Sequence, residues 1–181
     1  MCIRDRPEGL PPKGCSKDKS GIILGGNFTS WYSGLDSYLI AQALDDKITN
    51  VSMGRKQPQE DLIDDITYLP YMTWRQWIDE CSKYKVGVHM MRTHAAGTFS
   101  MNLSWHGTPV IGYEGLDTQE LLHPQTTIQV GDLMGAKRIM KKLTEDEDFY
   151  QECSEQTKRR FEKHYSEEAW LRHWGKQNGT D

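Results

Sequence analysis

Long apolar runs are absent from this chain. None approaches the roughly 20 residues that a bilayer-spanning helix needs, and no hydrophobic segment of the kind found in secretory leaders follows the N-terminus. Cysteine is sparse. Cys2, Cys15, Cys81 and Cys153 stand far apart, with neither a Cys-x-x-Cys pair nor a histidine at zinc-finger spacing. That argues against a disulfide framework and a zinc ribbon, and reduced thiols in a cytoplasmic setting are the simplest reading. A surplus of one charge is also lacking. Lys and Arg total 22 against 26 Asp and Glu, a net charge of −4, which argues against a domain that binds nucleic acid through a basic face. No repeat period is visible. Asn-x-Ser/Thr triplets at Asn27, Asn50, Asn102 and Asn178 have no secretory context and read as chance.

What is present suffices for one core: 181 residues, 36% hydrophobic and 10% aromatic. The organising stretch runs from Lys85 to Glu120. It opens with the apolar run Val86 to Met91 and turns through His94-Ala95-Ala96-Gly97-Thr98. The segment from Phe99 to His106 has the length of a short helix, stopped by Gly107. A second apolar run follows in Thr108-Pro109-Val110-Ile111-Gly112. Strand, tight turn, helix, glycine stop, strand is the pattern of one βαβ unit. The turn after the first strand of such a unit aims the unpaired N–H groups of the helix start, with the positive end of its dipole, at open space. An anion is favoured there, typically a phosphate.

The rest of the chain extends the alternation. Residues 1–20 hold three prolines and mixed charge without periodicity, and read as a tail. Their opening, Met1-Cys2-Ile3-Arg4-Asp5-Arg6, resembles the translated adaptor scars at the ends of assembled environmental reads. That reading makes the chain a metagenomic fragment lacking its N-terminal part; a natural disordered tail is the alternative. Order is expected over 21–176, with 177–181 a second tail. Gly21 to Gly26 reads as a buried strand ending in two glycines, Gly34 to Leu44 as a helix, Asn50 to Met53 as a second strand and Ile66 to Leu69 as a third. Glu60 to Asp65 is at most a short acidic helix. Thr73 with Gln76 forms a capping box for a helix whose Trp74, Trp77, Ile78 and Cys81 share one face, which reads as core. After the central unit come a short helix over Asp117 to Leu122, a last strand over Thr127 to Val130, a helix capped by Asp132, and two further helices. Lys158-Arg159-Arg160 reads as a solvated helix face.

The spacing therefore predicts an α/β, Rossmann-like fold: a mostly parallel six-stranded sheet with helices on both faces and trailing C-terminal helices. In such sheets ligands bind beyond the carboxyl ends of the strands where strand order reverses. The switch would set Gly25-Gly26-Asn27 beside Arg92-Thr93-His94.

His94 to Ile111 resembles the donor-binding segment of GT-B-fold glycosyltransferases of the family-4, or group-1, type. The family pattern is Glu-Gly-Phe-Gly, a helix with a second glutamate, then Gly-x-Pro-Val. Gly97, Gly107, Pro109 and Val110 hold matching places. From Gly21 to Trp174 the order of elements is similar to the family's C-terminal half. The resemblance implies a nucleotide-diphosphate sugar as donor, no metal or other cofactor, and a partner N-terminal domain that holds the acceptor. It implies diphosphate and sugar contacts from Ala95, Ala96, Gly97 and Thr98, a phosphate-facing turn at Gly25, Gly26 and Asn27, and a base near Leu69, Tyr71 and Met72.

Two departures stand out. His94 and Asn102 replace the paired glutamates, and both can bond hydroxyls. The family's Arg and Lys after the first strand are not evident, so Arg55, Lys56 or Arg92 is left to supply the cation, with Arg92 favoured for its place in the turn. His94 reads equally as a turn cap, Asn102 as a packing residue, and His89 as a satisfied core group. A carboxylate introduced at Gly97 is expected to face the phosphates. The function expected is sugar transfer, with the fragment inactive alone for want of its acceptor half. A non-catalytic nucleotide-sugar-binding module and half of a nucleotide-sugar epimerase are the alternatives.

Overall fold

The structure, a computed structural model, describes residues 19–44, 47–50, 55–94 and 97–178. Six strands form one sheet: β1 (Ile22–Leu24), β2 (Ile48–Asn50), β3 (Ile66–Tyr68), β4 (Val86–His89), β5 (Val110–Tyr113) and β6 (Thr127–Ile128). Their order is β3-β2-β1-β4-β5-β6 and every neighbouring pair is parallel. The sheet expected to be mostly parallel is thus wholly so. Order reverses between β1 and β4, where Leu24 lies opposite Val88. The helices are α1 (Gly34–Ala41), α2 (Trp74–Cys81), α3 (Thr98–Trp105), α4 (Asp117–Leu122), α5 (Leu133–Glu145), α6 (Glu147–Tyr165) and α7 (Glu167–Asn178).

Period-two alternation divides the core between the two faces. Ile22, Leu24, Val86 and Val88 point to one face, where they pack with Tyr38 and Ile40 of α1 and with Ala136 and Met140 of α5. Ile23 points to the other face and meets Trp77, Ile78 and Cys81 of α2 and Phe99 and Leu103 of α3. The Thr73–Gln76 capping box forms, and Asp132 caps α5 by accepting from the Gly135 amide.

Several boundaries differ from the sequence reading. The second strand runs over Ile48–Asn50 instead of starting at Asn50, because its register is set by Ile48 pairing with both Ile22 and Ile66. Residues 51–54, given to that strand from sequence, lie outside the described residues. The acidic segment is a 3-10 turn over Pro58–Leu62. Described structure begins at Lys19, whose ammonium donates to the His106 carbonyl (2.8 Å), while the Ser20 amide donates to Lys83 (2.9 Å). Among the described residues no helix is long and apolar enough to cross a membrane.

A buried polar seam joins α3, α4 and α6. His123, just past α4, accepts at Nδ1 from the Val110 amide (3.3 Å), with the Thr157 hydroxyl 2.7 Å from the same nitrogen. Nδ1 therefore carries no proton, and the Nε2 proton is shared towards Ser104 Oγ (2.9 Å). Burial pushes His123 down to about 3 and His89 down to about 4. Both values lie below that of an unfolded histidine, so below about pH 6.5 the unfolded chain binds more protons than the folded one. Stability is then full above that pH and falls as pH drops toward 4, by at most about 1.4 kcal/mol per pH unit for each ring. Urea unfolding at pH 7, 6 and 5 is expected to show this decline. His123→Gln is expected to be less stable at pH 7 but to have a shallower acid slope, and an unchanged slope would contradict the assignment.

Candidate functional site

The C-terminal ends of β1 and β4 lie side by side, as the switch requires, and two bonds tie the segments that follow them. The Met90 amide donates to Ser37 Oγ on α1 (3.1 Å), and the Arg92 amide donates to the Trp31 carbonyl (3.3 Å). The turn after β1 is therefore fixed against the approach to α3.

The start of α3 is the centre of the site. Gly97 is its N-cap and no side chain caps it. Its first-turn amides are left without a side-chain acceptor, and the positive end of the helix dipole adds to them. Gly97 has a steric reason to be glycine. A Cβ there would lie 2.5 Å from Thr118 Oγ1 and 2.8 Å from Leu116 Cδ2. The missing side chain points at α4, so a carboxylate at this position would be driven into the packing between the turns instead of toward an anion. That corrects the expectation from sequence. Thr118 went unnoticed there; its hydroxyl is enclosed and has no hydrogen-bond partner among the described residues.

Gly25 and Gly26 form the facing turn. A Cβ on Gly25 would fall 2.8 Å from both His89 Cδ2 and Phe99 Cδ1, so β1 can approach α3 only without a side chain there. Gly26 packs against Tyr32. Asn27 is buried and bonded at both its amide oxygen and its amide nitrogen. Its Oδ1 accepts from the Thr29 amide (3.3 Å) and hydroxyl (2.8 Å), while its Nδ2 donates to the Arg55 carbonyl (2.7 Å). Its side chain builds the loop and brings Arg55 to the β1 turn. Glu60, wholly buried, secures the same loop: it accepts from the amides of Phe28 (3.2 Å) and Gln57 (2.7 Å) and from the Tyr68 hydroxyl (3.1 Å). The Gln57-to-Glu60 spacing is a capping-box signal that the sequence reading passed over.

The cations differ in their engagement. Arg92 is held by Asp36 (Nη2 to Oδ2, 2.7 Å), which also accepts from the Tyr113 hydroxyl (3.0 Å), and its guanidinium lies 5.9 Å from the Tyr113 ring centroid. Lys56 pairs with Asp61 (3.0 Å) over the Tyr68 ring. The Arg55 side chain is exposed and has no ion pair among the described residues. Nothing local in the sequence announced the Asp36–Arg92 pair, whose members sit on different elements.

His94 is exposed with its ring against Gly115, on the β5 side of α3. Asn102 lies half-buried on α3. Leu69 is buried with the aromatic cluster, Met72 packs on it, and Tyr71 is 85% exposed. Thr98 is exposed at the helix start. Ala95 and Ala96 lie outside the described residues. Among the described residues no group of three or more His, Cys, Asp and Glu side chains is placed to hold a metal ion. The Asp-x-Asp spacing at Asp146 and Asp148 belongs to the start of α6, where Asp146 caps the helix by accepting from the Phe149 amide (2.9 Å).

No family model and no curated protein matches the chain. Solved structures do. Sucrose-phosphate synthase from Thermosynechococcus elongatus is similar with a TM-score of 0.71 at 16% identity, over 89% of this chain and 45% of that one. The C-terminal domain of a glycosyl transferase group 1 family protein (LpcC) from Francisella tularensis gives 0.65 at 10% identity, over 89% and 95%. Anabaena Alr3699/HepE, solved in complex with UDP, gives 0.69 at 11%, over 90% and 50%. The chain thus has the fold of the C-terminal half of GT-B, group-1 glycosyltransferases, and spans about half the length of the longer enzymes it matches.

Gly97→Ala is expected to lower stability by about 1–3 kcal/mol through overpacking against Thr118 and Leu116. Denaturant midpoints check it; a midpoint equal to wild type would show that Gly97 is not in close contact with α4.

Proposed function

We propose that this chain is the donor-binding part of a glycosyltransferase, which transfers a sugar from a nucleotide-diphosphate sugar to an acceptor held by a further domain. The observation that carries the reading is the uncapped start of α3 at the β1–β4 switch point, with the Gly25-Gly26 turn facing it. The fold likeness to glycosyltransferases, one of them solved with UDP, supports it.

In this reading the diphosphate lies across the first turn of α3. Its negative charge grows as the sugar–phosphate bond breaks, and fixed backbone dipoles in a partly enclosed corner stabilise that charge without reorganising. A cation is needed beside them. Arg92, favoured from sequence, already has Asp36 as its partner. Arg55 is the better choice, since its carbonyl is tethered to Asn27 at the β1 turn while its guanidinium has no ion pair among the described residues. Tyr71, on the segment after β3, is free to cover a base. Asn102 and His94 take the hydroxyl-binding places of two carboxylates. They offer neutral contacts where the pattern has charged ones, and this favours the second reading, a module that binds nucleotide sugars without turnover.

Titration with UDP-, GDP- and ADP-sugars tests the proposal. One of them is expected to bind, Arg55→Ala to lose about tenfold or more in affinity for it, and Arg92→Ala to lose less. No transfer is expected from this chain alone. Equal binding by wild type and Arg55→Ala would remove the cation assignment, and the absence of binding to all three would remove the donor reading.

A further inference from the structure

Three histidines, His89, His106 and His123, are buried in this protein, and the first and last of them are treated differently. His123 has hydrogen-bond partners at both ring nitrogens. His89 is 4% exposed, and its Nδ1 is enclosed without a partner among the described residues. The satisfied ring lies deep among α3, α4 and α6. The unsatisfied one is the last residue of β4, at the ligand end of the sheet and at its switch point.

Leaving a buried polar group unpaired destabilises the fold, and a leucine would fill the same place without that cost. The surroundings are built around the ring. Gly25 gives it room, and Phe99 of α3 lies against it with centroids 5.1 Å apart. Trp77 stacks on Phe99 at 6.4 Å. A second unpaired group belongs to the same cluster: Trp74, the first residue of α2, packs on it with its Nε1–H enclosed and, among the described residues, unbonded. His89 closes β4, and Trp74 stands at the end of the segment that follows β3.

We propose that His89 reads the base of the nucleotide donor, offering Nδ1 of its ring to the base edge while Phe99 and the segment after β3 line its faces. The inference depends on the donor reading above and adds the residue that selects the base. A base is preferred to a phosphate on chemical grounds. The ring is neutral, since burial alone holds it at about 4 and no charged side chain contributes. Its neighbours are aromatic and uncharged. An uncharged, planar group with mixed donors and acceptors matches such a lining. The phosphates already have the start of α3.

The test compares wild type, His89→Leu and His89→Gln by calorimetric titration with UDP, GDP and ADP, and with pyrophosphate as a probe without a base. Wild type is expected to prefer one of the three nucleotides. His89→Leu is expected to lose about tenfold for that nucleotide and to narrow the preference among the three, with pyrophosphate binding unchanged. His89→Gln, which keeps a donor and an acceptor, is expected to recover part of the loss. Thermal unfolding at pH 7 is expected to show His89→Leu at least as stable as wild type, so the loss cannot be put down to a damaged fold. Unchanged nucleotide affinity and preference in His89→Leu, or an equal loss for pyrophosphate, would overturn the role of His89 while leaving the donor site standing. A wild type that binds none of the three nucleotides would overturn both.

Discussion

Close backbone approach between the end of β1 and the start of α3 governs this structure. Gly25 lies so near His89 and Phe99 that any side chain on it would collide with both rings. Gly97 meets Thr118 and Leu116 in the same way on the opposite flank of the helix. With both glycines in place, the uncapped first turn of α3 is pressed between two loops, its amides directed at the crevice. Ser37 and Trp31 then fix the neighbouring segment by accepting from the amides of Met90 and Arg92. The partial charge of a short helix is small in water, but it counts for more in a corner where solvent is limited and the dipoles are already oriented.

The parts of the fold that were legible in the sequence were those encoded locally. The Thr73–Gln76 box, the Asp132 cap, the Gly107 stop and the apolar run Ile22 to Leu24 closed by two glycines each state their structure within a few residues. The strand order followed as well, because a βα alternation leaves few right-handed parallel arrangements open. What stayed hidden was long-range. Ile48 sets the register of the second strand by pairing with Ile22 and Ile66, and no local signal competes with the apolar look of the residues after it. Asp36 reaches Arg92 from another element, and Glu60 gathers donors from two loops. Their partners appear only once the chain has folded. His89 shows the same limit from the other side: the sequence marks a histidine within a strand, but whether it is satisfied depends on what surrounds it.

The site combines a backbone-built part with side chains that depart from the family pattern. The backbone part tolerates such change, because amides at a helix start bind an anion whatever side chains flank them. Hydroxyl recognition does not, since it depends on individual acceptors. His94 lies on the segment before α3, against Gly115, and Asn102 partway down α3. In the proposed reading, affinity for the diphosphate rests on the glycines and choice of the sugar on His94 and Asn102.

The most direct measurement of the central claim is an NMR titration of the backbone amides with UDP, GDP and ADP. The account predicts that the nucleotide that binds moves the amides of Thr98, Phe99 and Ser100 most, followed by those of Gly25 and Gly26. Shifts confined to other parts of the molecule, with the first turn of α3 unmoved, would contradict it.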